Sequence, residues 1–148
     1  MIRRFERFSY GIFEINRCWH KLAAEEMEKY GLKGPYAVYL IALARSGEGI
    51  TAAQLCELCG RDKADVSRAV RLMEEKGLVR REGTNYRALL QLTHEGLQAA
   101  GHVKKRASLA VEHAGKGLSQ QERAIFYQVL DTITLNLQAL SREGIPTE

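Results

Sequence analysis

The stretch from Ile50 to Val79 leaves the chain little choice locally: it must fold as two short helices joined by a tight turn. Thr51 followed by Gln54 is a capping-box pair, which starts a helix by satisfying its first free backbone N–H groups. Gly60 supplies the left-handed residue that stops it. Asp62 then caps a second helix, in which Val66, Ala69, Val70 and Met73 recur at i, i+3, i+4 and i+7 and must face a core. The opposite face is left with Lys63, Ala64, Ser67, Arg68 and Arg71. Gly77 ends this helix after Glu74, Glu75 and Lys76.

Leu78 to Arg81 and Arg87 to Leu92 read as two strands, joined by Glu82 to Tyr86 with Gly83 and Asn85 as turn formers. The first strand carries the basic step Arg80-Arg81. A helix pair with cations on its outer face, followed by a basic hairpin, is the element order of a winged helix-turn-helix, whose second helix enters the DNA major groove. The charge distribution agrees. Eight basic residues lie between Arg61 and Arg87 against five acidic ones, so +3 of the net +4 falls in this segment. That excess suits a surface facing phosphates, although a solvated helix face carries the same bias.

Around this head the chain reads as helix. The first helix is predicted from about Arg3 to Tyr30, stopped by Gly31. Its Phe5, Phe8, Ile12, Ile15, Trp19 and Leu22 are spaced as a heptad seam, which packs best along another helix; the alternative is a long amphipathic helix on its own core. Gly34-Pro35 opens the second helix, with Tyr36, Tyr39, Leu40 and Leu43 on its buried side. Thr93 caps a fifth helix reaching about Ala114, and Gly115-Lys116-Gly117 is a linker. Ser119 and Glu122 form a second capping box for a sixth helix to about Leu140, with Phe126, Leu130, Ile133, Leu137 and Leu140 again at heptad spacing. The expected fold is therefore mainly α with a small β-hairpin wing: a winged helix-turn-helix of about six helices, its N- and C-terminal helices forming a dimer interface. It is expected as a single domain over 1–148, with 1–33 and 94–148 as dimerisation helices and 34–93 as the reading head.

Several classes are excluded. A chain that is 45% hydrophobic and 27% charged is neither disordered nor fibrous. No apolar run approaches the roughly 20 residues of a membrane span, and the charged N-terminus is followed by no apolar signal segment. Three cysteines, an odd number, imply free thiols in a reducing compartment, hence the cytoplasm. Gly-rich phosphate loops, G-x-S-x-G, H-E-x-x-H and isolated carboxylate pairs are all missing, so no enzyme and no cofactor is expected. Cys56 and Cys59 form a C-x-x-C, but His94, His102 and His113 do not complete a metal-ligand spacing, and the pair reads as core.

The framework Leu55…Gly60…Val66-Ser67-Arg68…Glu74-Glu-Lys-Gly-Leu-Val79…Leu92-Thr93-x-x-Gly96…Leu118-Ser119-x-x-Glu122 resembles the multiple-antibiotic-resistance regulator (MarR) family over nearly the whole chain. The resemblance implies a bacterial or archaeal homodimeric regulator, a repressor of transcription on a pseudopalindromic operator. Its recognition helices enter successive major grooves and its wings approach the flanking minor grooves; a small molecule or an oxidant often relieves binding in the family. Three positions depart from the pattern. Asp65 stands where the family commonly has Ser or Thr, and a carboxylate there can accept from cytosine N4 or act against phosphates. Arg61 replaces an apolar residue. The wing is short, so strand alternation puts Tyr86, not Arg87, on the face of the family's wing arginine.

The expected DNA-binding residues are Lys63, Asp65, Ser67, Arg68, Arg71, Arg80, Arg81 and Arg87. Lys63 lies at the recognition-helix N-terminus, near phosphate or a guanine edge. Ser67 reaches a base edge; Arg68 and Arg71 share reading and phosphate contact, and Arg80, Arg81 and Arg87 hold phosphates. Each cation has a plainer reading as surface, Arg71 as the i, i+4 partner of Glu75. In relatives an inducer binds where the dimer helices meet the head. Trp19, His20, Tyr36 and Tyr39 fall in that neighbourhood and suit a small aromatic inducer, or are simply core. Cys18 corresponds roughly to a first-helix cysteine that senses peroxide in some relatives, or is an inert interface residue. Two other functions stay open: a thiol-based redox sensor using Cys18, and an interaction adaptor on the same fold that never touches DNA.

Overall fold

Side chains that satisfy the first backbone N–H groups decide where the central helices begin. In a computed structural model, which describes residues 2–148 apart from the side chains of Ile2 and Tyr86, the Thr51 hydroxyl accepts from Gln54 N at 3.2 Å and the Thr51 N–H donates to Gln54 Oε1 at 2.9 Å. This box opens α3 (Ala52–Cys59), and Gly60, at φ 61°, closes it. Asp62 Oδ1 accepts from Asp65 N at 2.7 Å and opens α4 (Lys63–Glu75). Before them lie α1 (Ile2–Glu28) and α2 (Ala37–Arg45), the latter preceded by a 3-10 turn over Gly34–Tyr36 that Pro35 initiates. After them come β1 (Val79–Glu82), β2 (Leu89–Leu92), α5 (His94–Ala114) and α6 (Gln120–Glu143). The second capping box, Ser119 with Glu122, starts α6.

The chain forms two compact units, one up to Ser108 and the other from Leu109 to Glu148. In the first, the core gathers Met27 from α1, Tyr36, Tyr39, Leu40 and Leu43 from the second helical segment, and Leu55 from α3. The full inward stripe of α4, Val66, Ala69, Val70 and Met73, joins them, with Leu90 from β2 and Ala99, Ala100 and Val103 from α5. Those four α4 side chains are almost wholly removed from water, which at about 25 cal/mol per Å² makes them a main source of the unit's stability.

The hairpin pairs Val79 with Leu92 and Glu82 with Leu89. The first strand has its predicted four residues, shifted by one, and the second starts two residues later than predicted. Asn85–Arg87 forms a 3-10 turn, with Asn85 at φ 63° and its Oδ1 accepting from Arg87 N at 3.0 Å. Strand alternation therefore does not extend to Arg87, and the Tyr86 side chain lies outside the described residues. A third piece of backbone completes the sheet: Ile50 exchanges both hydrogen bonds with Leu90, at 3.2 and 2.7 Å. Gly49, at φ 106°, turns the chain into that bridge where a side chain would strike Gln91 and Leu90.

Two junctions seat the head. At the α5 start, the Thr93 hydroxyl donates to the Gly77 carbonyl at 2.6 Å and accepts from Gly96 N at 3.1 Å, while Thr93 N donates to the Leu78 carbonyl at 3.0 Å. Gly96 is needed there because a Cβ would fall 2.0 Å from the Leu78 oxygen. At the end of α1, Glu26 accepts from Lys29 Nζ at 2.7 Å and from Arg106 Nε of α5 at 2.8 Å, with His102 Nε2 at 3.6 Å. The Lys29 bond first, and then the Arg106 bond, hold the Glu26 carboxyl down at about 2.

Two outcomes are expected. Gly96→Ala should lose about 2–3 kcal/mol in urea unfolding, because the Leu78 backbone has no room to yield. Glu26 has a folded pKa below its ordinary value, so its contribution is complete above about pH 4.5 and is lost as pH falls towards about 2. Thermal unfolding followed by circular dichroism should show Glu26→Gln costing roughly 1–2 kcal/mol at neutral pH. The cost should vanish across that acid window; an unchanged difference at pH about 2 would remove Glu26 from this role.

Candidate nucleic-acid interface

Once α4 has buried one side, its other side is determined. Lys63, Ser67, Arg68 and Arg71 all point to solvent from the same face. Arg68 keeps 69% of its side-chain surface in water and Arg71 84%. Arg71 lies 3.6 Å from Glu75, the i, i+4 pair that was the plainer reading; a pair this exposed is worth at most about 1 kcal/mol and gives way easily to a phosphate. Lys63 is exposed but stands between two carboxylates, Asp62 and Asp65, which already occupy the positive end of α4. A phosphate approaching that helix end would meet their repulsion, which leaves the Lys63 ammonium as the cation available there.

Both carboxylate oxygens of Asp65 have neighbours within the protein. Its Oδ2 accepts a hydrogen bond from the hydroxyl of Tyr39 in α2, and its Oδ1 lies 3.8 Å from Arg68 Nη2. The Tyr39 side chain is only 1% exposed. Burial first, and then the bond to Asp65, raise the Tyr39 hydroxyl pKa, so it stays a donor. No local pattern hints at this link, which joins residues 26 apart on separate helices.

On the hairpin, Arg80 and Arg81 are exposed on β1. Arg81 Nε donates to Glu74 Oε1 at 2.6 Å, which ties the strand to α4. Arg87 is exposed at the wing turn, its backbone held by Asn85. Lys63, Ser67, Arg68, Arg71, Arg80, Arg81 and Arg87 thus all lie on exposed surface of the head.

The four residues expected near an inducer differ in exposure. Trp19 and His20 are exposed on α1, whereas Tyr36 and Tyr39 are buried with ring centroids 5.8 Å apart. Periodicity marks an aromatic as inward-facing but cannot distinguish core from pocket wall. Cys18 is exposed and accepts from Arg17 Nη2 at 3.7 Å, while Arg17 also pairs with Glu14 at 2.8 Å. Cys56 and Cys59 pack against the core, and burial raises the Cys59 thiol pKa. Among the described residues no group of His, Cys, Asp and Glu is arranged to hold a metal ion, and no helix is long and apolar enough to cross a membrane.

Comparison with known proteins agrees with this geometry. Residues 30–87 match the MarR family. No curated protein matches the chain by sequence. Among solved structures, a MarR transcriptional regulator from Methanosarcina mazei Go1 is similar at 22% identity and a TM-score of 0.79, over 91% of this chain and 92% of that one. A Listeria monocytogenes protein assigned to the same family and complexed with 26mer DNA is similar at 20% identity and a TM-score of 0.77, over 94% and 96%. MepR, a transcription regulator of the Staphylococcus aureus multidrug efflux pump MepA, is similar at 20% identity and a TM-score of 0.68, over 88% and 98%. Residues 30–87 are thus similar to the MarR family, and the chain as a whole shares the fold of these solved structures.

Proposed function

We propose that the protein is a cytoplasmic transcriptional regulator that binds a pseudopalindromic operator as a homodimer. The observation that carries the reading is the solvent-facing row of Lys63, Ser67, Arg68 and Arg71 on a helix whose other side is locked into the core. Arg68 suits a bidentate contact to guanine, while Arg71, Arg80 and Arg87 suit phosphates. The Listeria relative complexed with 26mer DNA supports the same use of this fold. Occupying an operator within a promoter excludes polymerase, which makes repression the natural outcome.

Dimerisation is supported by what each terminal helix leaves uncovered. Along α1, Phe5 is 71% and Ile15 67% exposed, with Phe8, Ile12, Trp19 and Leu22 also in water. Along α6, Phe126, Leu130, Leu137 and Leu140 are exposed. Stripes of this size at heptad spacing call for a covering helix. The DNA-independent adaptor has less support, since it assigns no task to the row of outward cations. A redox role for Cys18 has the adjacent Arg17 in its favour, while Tyr36 and Tyr39 are buried in the core.

Arg68→Ala should weaken binding to the selected operator roughly 10- to 100-fold in fluorescence anisotropy, with helicity and oligomeric state unchanged; parental affinity would show that this face does not meet DNA. Sedimentation equilibrium should find a dimer at low micromolar concentration, and Ile15→Glu should shift it towards monomer. A wild-type monomer under those conditions would contradict the paired architecture.

A further inference from the structure

We propose that Asp65, held by the Tyr39 hydroxyl, is a positioning residue that aims Arg68 and restrains the recognition helix from binding DNA indiscriminately, without touching a base itself. The inference rests on the DNA-binding reading above and adds how its specificity is set.

The carboxylate works at two ends. Oδ2 is anchored on a phenol that rises from α2 through the apolar core. A buried hydroxyl without an acceptor is costly, so the bond fixes the Asp65 side chain as firmly as it satisfies Tyr39. Oδ1 faces the Arg68 guanidinium, one turn further along α4, at 3.8 Å. Arg68 is otherwise a long, largely solvated side chain with several free torsions. A fixed anion near its head narrows those torsions before DNA arrives, which favours a planar fork meeting a base edge.

The same anion has a second effect. A phosphate rewards charge, whereas a guanine edge rewards geometry as well. Offsetting part of the Arg68 charge therefore weakens its hold on any phosphate more than its hold on the right base. Asp62 adds negative charge at the same end of α4, and Arg61 lies close enough to oppose part of the rise in the Tyr39 pKa. This is specificity gained by weakening the wrong complex. It also accounts for an acidic residue on an otherwise cationic face. Because Oδ2 is engaged by Tyr39, direct reading of cytosine by a freely swinging Asp65 is disfavoured.

The test compares the full-length wild type, Asp65→Asn and Tyr39→Phe on a duplex enriched from a random pool and on an unrelated duplex. Affinity is measured by anisotropy at two salt concentrations, alongside sedimentation and melting. Asp65→Asn keeps an acceptor for Tyr39 but loses the charge. It should bind the unrelated duplex several-fold more tightly, lowering the ratio of specific to unrelated affinity about tenfold. Tyr39→Phe keeps the charge but frees it, and should lower the ratio through weaker specific binding, with unrelated binding unchanged. A drop in melting temperature with both ratios held within about twofold would reduce Asp65 to a structural brace and overturn the proposal. Lost discrimination confined to one cytosine-containing base pair, in Asp65→Asn alone, would overturn it in favour of direct reading. If the wild type enriches no sequence and binds neither duplex, the DNA-binding reading itself fails and the proposal falls with it.

Discussion

A helix of 13 residues with one apolar stripe has a single way to sit on a protein. In α4 that stripe is Val66, Ala69, Val70 and Met73, and all four are buried. Turning the helix by even a third of a revolution would expose part of the stripe and bury Ser67 or Arg68 without partners, at a cost of several kcal/mol. The outward cationic row is thus a consequence of core packing, and the rest of the molecule serves to hold that arrangement.

Three kinds of tether do so. Backbone bonds between Ile50 and Leu90 fasten the hairpin to the segment ahead of α3. Thr93 and Gly96 lock the start of α5 against the turn that follows α4, at a distance only glycine tolerates. The Tyr39–Asp65 and Arg81–Glu74 links clamp α4 from the helix before it and from the strand after it. The last two use charged or polar groups of α4 itself, so the proposed DNA-facing surface and its supports lie on the same helix.

What could be read in the sequence was what depends on near neighbours. Both capping boxes, the Asp62 cap, the left-handed Gly60 and the buried stripe of α4 follow from side chains within one or two turns of each other. The Arg71–Glu75 pair was legible for the same reason. Links across elements were not. Nothing local announces that Asp65 answers a tyrosine 26 positions earlier, or that Glu26 answers Arg106 from α5. The turn at Asn85 is legible, but its side-chain bond to Arg87 N extends it, so the second strand starts at Leu89 and not at Arg87. Tyr36 and Tyr39 are buried, and an aromatic at helical spacing has the same sequence pattern in a core as on a cavity wall.

The account's central claim is that two copies of this head present α4 outward together, at a separation matched to the duplex. Selecting bound sequences from a random DNA pool tests it most directly. The expected result is an inverted repeat with half-site centres about one helical turn apart, or a multiple of it. Enrichment of a single asymmetric half-site, or of no sequence at all, would contradict it.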